Sequence, residues 1–338
     1  MVFLTGASGL IGSFVLHELL ARQLPVRALY RGEAPPAGFA GGVEWVAGDL
    51  LDPMGLQQAI GPEITLVLHC AGLVSYAPQD EDALLAVNVQ GTAHIVDACL
   101  ARPGVRLGYV SSVAALGGPG PAEAGQPGER VLTEAATWDL GASHPAYATS
   151  KYLAELEVWR GTAEGLQAII VNPSVVLGPG DWQRSSTRLL RYAHDEHRFY
   201  TRGQLNFVDV RDVVAQLLRL ALELPAGPTQ RYILNGGRCE LGEFLGQVAR
   251  ALGRRPPTTA VPDWAAEVIW RLEHTRSLLT GARPLITRDT ARASRHPATY
   301  DTSKVQATTG LGFRPLTETI AWATGQLQAN QPAASTVI

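Results

Sequence analysis

Short apolar runs alternate with amphipathic stretches through the first half of the chain. Val2–Leu4, Val26–Leu29, Glu44–Val46, Leu66–His69, Leu107–Val110 and Ala168–Val171 are rich in β-branched and aliphatic residues and predict strands. Between them Ser13–Arg22, Pro53–Ala59, Ala83–Ala101 and Tyr147–Thr162 carry helical spacing. Strands alternating with helices predict a parallel sheet covered on both faces, and such sheets bind ligands at the carboxyl ends of their strands. Arg231–Leu234 predicts one more buried strand returning to that sheet. From Leu241 to about Gln326 the pattern is mostly helical and carries Trp264 and Trp270.

These patterns predict an α/β domain over residues 1–172, completed by 204–235. Residues 173–203 and 236–326 form a smaller, mostly helical lobe that closes over the site, and 327–338 a frayed tail. Two loops stand out by composition. Gly117–Pro145 is long and without apolar periodicity, and Gly178–Thr187 opens with Gly-Pro-Gly-Asp. Long loops in compact domains tend to be lids or disordered segments.

Composition narrows the function classes. With 338 residues, 46% of them apolar, the chain can bury one large core or one and a half domains. The formal net charge of -3, with scattered Lys and Arg, gives no basic excess for nucleic acid and no polybasic membrane patch. Cys70, Cys99 and Cys239 are far apart and odd in number, so a disulfide framework or a cysteine zinc site is not expected. No signal-peptide pattern precedes the first strand, and no uninterrupted apolar stretch is long enough to span a bilayer. The expectation is a cytoplasmic protein without a metal, acting on a small molecule and compatible with a homodimer.

Candidate chemistry begins at Thr5-Gly6-Ala7-Ser8-Gly9-Leu10-Ile11-Gly12, which follows the first strand and opens the first helix. One glycine supplies an unusual φ, one lets backbone approach a pyrophosphate and one lets helix and strand pack closely. The free N–H groups and the dipole at the helix start attract phosphate. The strand–turn–helix context makes this a dinucleotide-binding turn, and the fold a Rossmann-type, doubly wound α/β sheet.

The glycine spacing, Asp49-Leu50, His69-Cys70-Ala71-Gly72, Asn88-Val89-Gln90-Gly91-Thr92 and Val110-Ser111-Ser112 resemble the extended short-chain dehydrogenase/reductases. The likeness continues through Tyr147-Ala148-Thr149-Ser150-Lys151, Asn172-Pro173-Ser174, Phe207-Val208-Asp209-Val210 and Leu311-Gly312-Phe313-Arg314-Pro315. It spans nearly the whole chain and is nearest to the dihydroflavonol, cinnamoyl-CoA and 3β-hydroxysteroid branches of the epimerase/dehydratase family. It implies hydride transfer between a nicotinamide dinucleotide and a carbonyl or alcohol.

Tyr147 and Lys151 lie four residues apart on one helix face. A phenol with a pKa near ~10 is a poor acid or base at neutral pH, and a neighbouring ammonium lowers that value. The pair therefore suits general acid–base catalysis, with Tyr147 protonating the carbonyl oxygen. The resemblance selects Ser112 over Ser111 as the hydroxyl that polarises that oxygen. It also implies that Lys151 holds the nicotinamide ribose, that Pro173 and Val175 line the nicotinamide, and that Asp49 and Leu50, with Ala71 and Gly72, line the cofactor. For Asp49 a helix N-cap is an equal alternative. Asn88 matches a family asparagine that supports a proton relay in some members, though a backbone-bonding role is preferred for it here.

The second strand ends at Tyr30-Arg31, where NAD-specific sites usually carry an acid for the ribose hydroxyls. The missing acid and the planar donor of Arg31 favour NADP(H), with NAD(H) the alternative. Val74, Tyr76, Leu116, Trp182, Phe199, Tyr200 and Phe207 are candidate substrate contacts, mostly apolar or aromatic, and any of them could instead be core. Asn172 stands where sugar-nucleotide enzymes often carry Arg, and Leu205 where UDP-galactose epimerase has an Arg, although Arg202 could substitute. A reductase is therefore expected before a nucleotide-sugar epimerase or dehydratase with bound NAD, and before a non-enzymatic dinucleotide sensor. His194-Asp195-Glu196-His197 lacks His-Glu-x-x-His spacing, and Arg283–Arg295 is interrupted by Asp289. Both are expected to be solvated helix faces.

Overall fold

The computed structural model describes residues 1–36, 39, 41–117, 130–182, 186–262 and 298–329. Trp264, Trp270, Arg283–Arg295, the first part of the Gly117–Pro145 loop, residues 183–185 and the tail beyond 329 lie outside the described residues. The chain divides into two units: residues 1–174, 210–234 and 300–312, and residues 175–209, 235–299 and 313–338.

The first unit is built on a seven-stranded sheet. In spatial order the strands are Gln230–Leu234, Gln167–Pro173, Arg106–Val110, Leu66–His69, Val2–Thr5, Val26–Tyr30 and Val43–Ala47. All neighbours are parallel, and the order reverses beside Val2–Thr5. A dinucleotide binds where the order of a doubly wound sheet reverses. The seven predicted strands are all in this sheet.

Their near-continuous apolar runs follow from burial on both faces. One face packs Phe3, Val67, Leu107 and Ile170 against Leu56, Ile95, Ala154 and Val158 of the helices Pro53–Ala59, Gly91–Leu100 and Ala146–Ala163. The helices Leu10–Ala21 and Val210–Leu218 pack against each other.

The helix predicted over Ala83–Ala101 is longer and irregular. It runs over Pro78–Leu100 and contains a π-helical segment, Leu85–Gln90, with Asn88 at its centre. By length and mean hydropathy, 1.3, it could cross a membrane, but Ile95, Val96 and Ala98 lie in the sheet core. It is the core helix of this unit.

The second unit has a three-stranded sheet in which Gln204–Asp209 pairs parallel with Val175–Leu177 and antiparallel with Gly237–Glu240. A second strand pair joins Phe199–Thr201 to Thr259–Val261. Leu177, Leu190, Phe207, Phe244, Val248 and Ile320 form its core with the helices Thr187–His194, Leu241–Ala251 and Leu316–Ala329.

Two segments lie elsewhere than the sequence pattern placed them. Residues 204–209 belong to the second unit, and 300–312 to the first. Alternation marks Gln204–Asp209 as a strand but does not say which sheet it joins. The segment at 300–312 is tied back by Lys304, whose Nζ donates to Gln230 Oε1 at 2.7 Å and to the carbonyl of Arg231 at 2.9 Å.

Candidate active site

The glycine turn is set by backbone crowding. Gly6 has φ +75°, and a Cβ there would sit 2.5 Å from the Ala71 nitrogen. A Cβ on Gly12 would sit 2.0 Å from the Gly6 oxygen, so that glycine seats the first helix on its own turn. Gly9 is the N-cap of Leu10–Ala21 and supplies no side-chain cap, and the first turn carries no acidic residue. The amides at Leu10, Ile11 and Gly12 thus open a helix prepared for an anion. Ser8 and Gly9 are exposed at the turn, and Ala71, whose N–H donates to Thr5 Oγ1 at 3.3 Å, lies against it, while Gly72 lies beside Asn88. This donor set fits a dinucleotide pyrophosphate.

Arg31 follows the second strand with its side chain 75% exposed, and its nearest acid is Asp49 at 4.0 Å. Asp49 does not cap the following helix. Its carboxylate accepts from Leu51 N, whereas Asp52 caps Pro53–Ala59 by accepting from Gly55 N. Leu50 is buried in the core, with its carbonyl on His94.

Ser112 lies just beyond the Arg106–Val110 strand, as its extended φ of -161° gives way to a 3-10 turn. Its Oγ accepts from Ala114 N at 3.2 Å and neighbours the Tyr147 phenol. Tyr147 opens the helix Ala146–Ala163, and the Tyr76 ring stands edge-on to it at 5.7 Å. Partial burial pushes the Tyr147 phenol well above its usual range, the neighbouring Tyr76 adds to this, and the neighbouring Ser112 hydroxyl opposes it.

Lys151 is on the same helix face but is not directed as its spacing with Tyr147 implies. Its Nζ donates to Tyr109 Oη at 2.8 Å and to the carbonyl of Val110 at 3.0 Å. Burial lowers its ammonium to about 8, against the attraction of Glu155.

Asn88 pins two pieces of the site. Its Oδ1 accepts from Leu73 N at 2.7 Å, and its Nδ2 donates to Leu73 O at 3.0 Å and Ser150 Oγ at 2.9 Å. Both amide protons and the oxygen are engaged, which agrees with the backbone-bonding role. Leu73 leads into Val74 and Tyr76, both 45% exposed.

A buried carboxylate that the sequence reading did not single out binds the helix to the strand ends. Glu155, 2% exposed, accepts from Ser111 Oγ at 2.7 Å, Asn172 Nδ2 at 2.8 Å and Arg231 at 3.1 Å. Asn172 also donates to the carbonyl of Ser112 at 3.0 Å, so the residue in the family's arginine position fixes the backbone of Ser112. Arg231 reaches on to the carbonyls of Glu134 and Ala136. Farther along that segment, Trp138 stacks between His144 and Tyr152, at 3.8 and 4.3 Å. Apolar periodicity reports none of these polar links. The one available signal was a charged residue, Glu155, one turn beyond Lys151.

The remaining candidates separate. Pro173 ends a strand of the seven-stranded sheet and is buried, while Val175 begins a strand of the second unit. Leu116, 1% exposed, and Phe207, 4%, are core residues, the alternative left open for them. Tyr200 and Trp182 pack on the second core, Trp182 with its ring edge-on to His194 at 4.7 Å, and Phe199 is exposed. His197 stacks on Tyr192, and no metal-binding cluster occurs among the described residues.

Comparison with known proteins agrees with this arrangement. Residues 2–235 match the NAD dependent epimerase/dehydratase family. A Synechocystis protein named as a dihydroflavonol 4-reductase is 32% identical over 94% of this chain and 92% of its own. Cinnamoyl-CoA reductase 1 of Oryza sativa is 29% identical over 78% of this chain and 79% of its own. The crystal structure of gox2253 superimposes with a TM-score of 0.80 at 29% identity, covering 98% of both chains. The chain belongs to the NAD dependent epimerase/dehydratase family, as an NAD(P)-dependent oxidoreductase of the extended short-chain dehydrogenase/reductase type.

Proposed function

We propose that this enzyme reduces the carbonyl of a small apolar or aromatic substrate, or oxidises the corresponding alcohol, with NADP(H). The observation that carries the reading is the Ser112 hydroxyl beside the Tyr147 phenol, with Lys151 one helical turn away. The cofactor, when bound, supplies or accepts the hydride. Ser112 donates to the substrate oxygen and polarises it. Tyr147, protonated at neutral pH because burial raises its phenol, then delivers a proton to that oxygen as negative charge develops. Lys151 holds the nicotinamide ribose and places a positive charge behind the phenol. Its ammonium is kept by Tyr109 and Val110 rather than by Tyr147.

NADP(H) is favoured because Tyr30 replaces the usual acid and Arg31 is exposed beside it. Exposed Tyr76 edge-on to Tyr147, with exposed Val74 two residues before it, favours an apolar or aromatic body on the substrate. The family description also covers epimerases and dehydratases that use NAD catalytically. Asn172 engaged on Glu155 and Ser112, and Leu205 buried in the second unit's core, leave those two positions without an arginine for a nucleotide diphosphate.

A screen of aldehydes, ketones and sugar nucleotides, followed by NADPH and NADH absorbance, tests the proposal. Net NADPH oxidation with an apolar or aromatic carbonyl is the expected result. Cofactor retained through purification, with sugar-nucleotide conversion and no net oxidation of added NADPH, would overturn it.

A further inference from the structure

Four buried side chains outside the Ser112–Tyr147 pair lead toward Lys151. Thr5, His69, Thr92 and Tyr109 are each at most 1% exposed. Thr5 Oγ1 lies 2.6 Å from His69 Nδ1, and His69 Nε2 lies 3.1 Å from Thr92 Oγ1. Thr92 neighbours the Tyr109 hydroxyl, whose oxygen receives Lys151 Nζ at 2.8 Å. The residues come from the ends of three adjacent strands and from the long core helix, so only the folded sheet assembles them.

Proton accounting gives the chain a direction. Thr92 donates its own proton to the carbonyl of Asn88, so toward its other neighbours it is an acceptor. His69 must therefore present Nε2–H to Thr92, and Thr92 has no proton to offer the neighbouring Tyr109 hydroxyl and can only accept from it. With Nε2 protonated and the ring neutral, Nδ1 is a lone pair and accepts from Thr5, whose oxygen accepts from Ala71 N. Burial, reinforced by the Lys151 charge, lowers His69 to about 3 and keeps it neutral. No donor in this arrangement faces another donor.

We propose that Tyr109 is a positioning residue for Lys151: Thr92, oriented by His69 and Thr5, takes up its hydroxyl proton and holds a lone pair of its oxygen toward the ammonium. The chain thereby joins the lysine to the first residue of the phosphate turn. This rests on the role given above to Lys151. The groups that face the ammonium are Tyr109 and the Val110 carbonyl on one strand, His69 and Cys70 at the end of the next, and Glu155 on its own helix.

The test is the pH profile of kcat/KM for NADPH-dependent reduction by wild type, Tyr109→Phe and Thr92→Val. Removing the acceptor leaves the ammonium as desolvated as before but less well bonded. The alkaline limb should move to lower pH by about 1 unit in Tyr109→Phe, a modest share of a charge-assisted hydrogen bond, and less in Thr92→Val. Activity should return toward wild type on the acid side. A loss uniform across pH, or a limb that stays in place in both variants, would overturn the proposal, since a merely structural tyrosine would lower stability without moving a titration.

Nitrogen-15 NMR of histidine-labelled wild-type enzyme tests the same chain without a variant. A neutral His69 with Nε2–H from pH 6 to 9 is expected, and the Nδ1–H form or a protonated ring there would contradict it. If no carbonyl substrate is turned over, the functional reading fails, while the NMR measurement still decides the hydrogen-bond chain.

Discussion

Replacing Arg31 by alanine tests the cofactor assignment, and the structure sets the size of the effect. The side chain is 75% exposed and its nearest acid, Asp49, is 4.0 Å away. An exposed pair of this kind contributes about 0–1 kcal/mol, so little holds the guanidinium back from a phosphate. A hydrogen bond to a charged group contributes about 1.5–3 kcal/mol, or roughly 10- to 150-fold in affinity. Because Arg31 stays partly in water, the lower half of that range is expected. Arg31→Ala should weaken NADPH binding by about 10- to 40-fold and NADH binding by less than about 3-fold, at unchanged stability. Titrating both cofactors by protein fluorescence quenching in low salt measures this, and raising the salt should shrink the difference. Equal wild-type affinities for NADH and NADPH, or the same loss for both in the variant, would refute the reasoning.

Three further outcomes follow from the geometry. Gly12→Ala forces a Cβ to 2.0 Å from the Gly6 carbonyl oxygen, against 3.2 Å for Gly9→Ala, so the first variant should be the less stable in thermal melts. Glu155→Gln removes a buried charge that Ser111, Asn172 and Arg231 all address. A loss of about 3 kcal/mol in urea unfolding is expected, the low end for a broken buried pair, because Arg231 keeps two carbonyl partners. Lys151 titrates at about 8 in the fold, below the ordinary 10.5, so between those values the unfolded chain binds more protons. Its burial cost is fully present below pH 8 and relieved above it. The free energy of unfolding of wild type minus that of Lys151→Met should therefore rise between pH 8 and 10.5 by up to about 3 kcal/mol, a difference in which the opposed titration of buried Cys99 cancels.

The sequence carries the parallel sheet because both of its faces are buried. Each strand then reads as an apolar run, and each intervening helix as an amphipathic one. The glycine turn is legible for a related reason, since a Cβ at Gly6 or Gly12 would overlap backbone. Spacing also places Tyr147 and Lys151 on one helix face.

What spacing does not carry is where a long side chain points once strands from distant parts of the chain lie beside it. Lys151 turns to Tyr109, 42 positions away, and Glu155 draws on Ser111 and Arg231, 44 and 76 positions away. Gln204–Asp209 pairs outside the main sheet for the same reason: alternation fixes a strand's faces, not its neighbours. Leu116 and Phe207 have the apolar character of a substrate wall, and their burial distinguishes them from the exposed Val74 and Tyr76.

The central claim is that the Tyr147 hydroxyl carries the proton in a hydride transfer. Turnover and NADPH binding of Tyr147→Phe, measured side by side, test it most directly. Only one oxygen is removed, while Ser112 keeps its bond from Ala114 and Lys151 keeps Tyr109 and Val110. Turnover should fall by about 10²- to 10⁴-fold, the usual contribution of a positioned acid, with NADPH affinity within about 3-fold of wild type. Turnover near the wild-type rate on any accepted substrate would contradict the account.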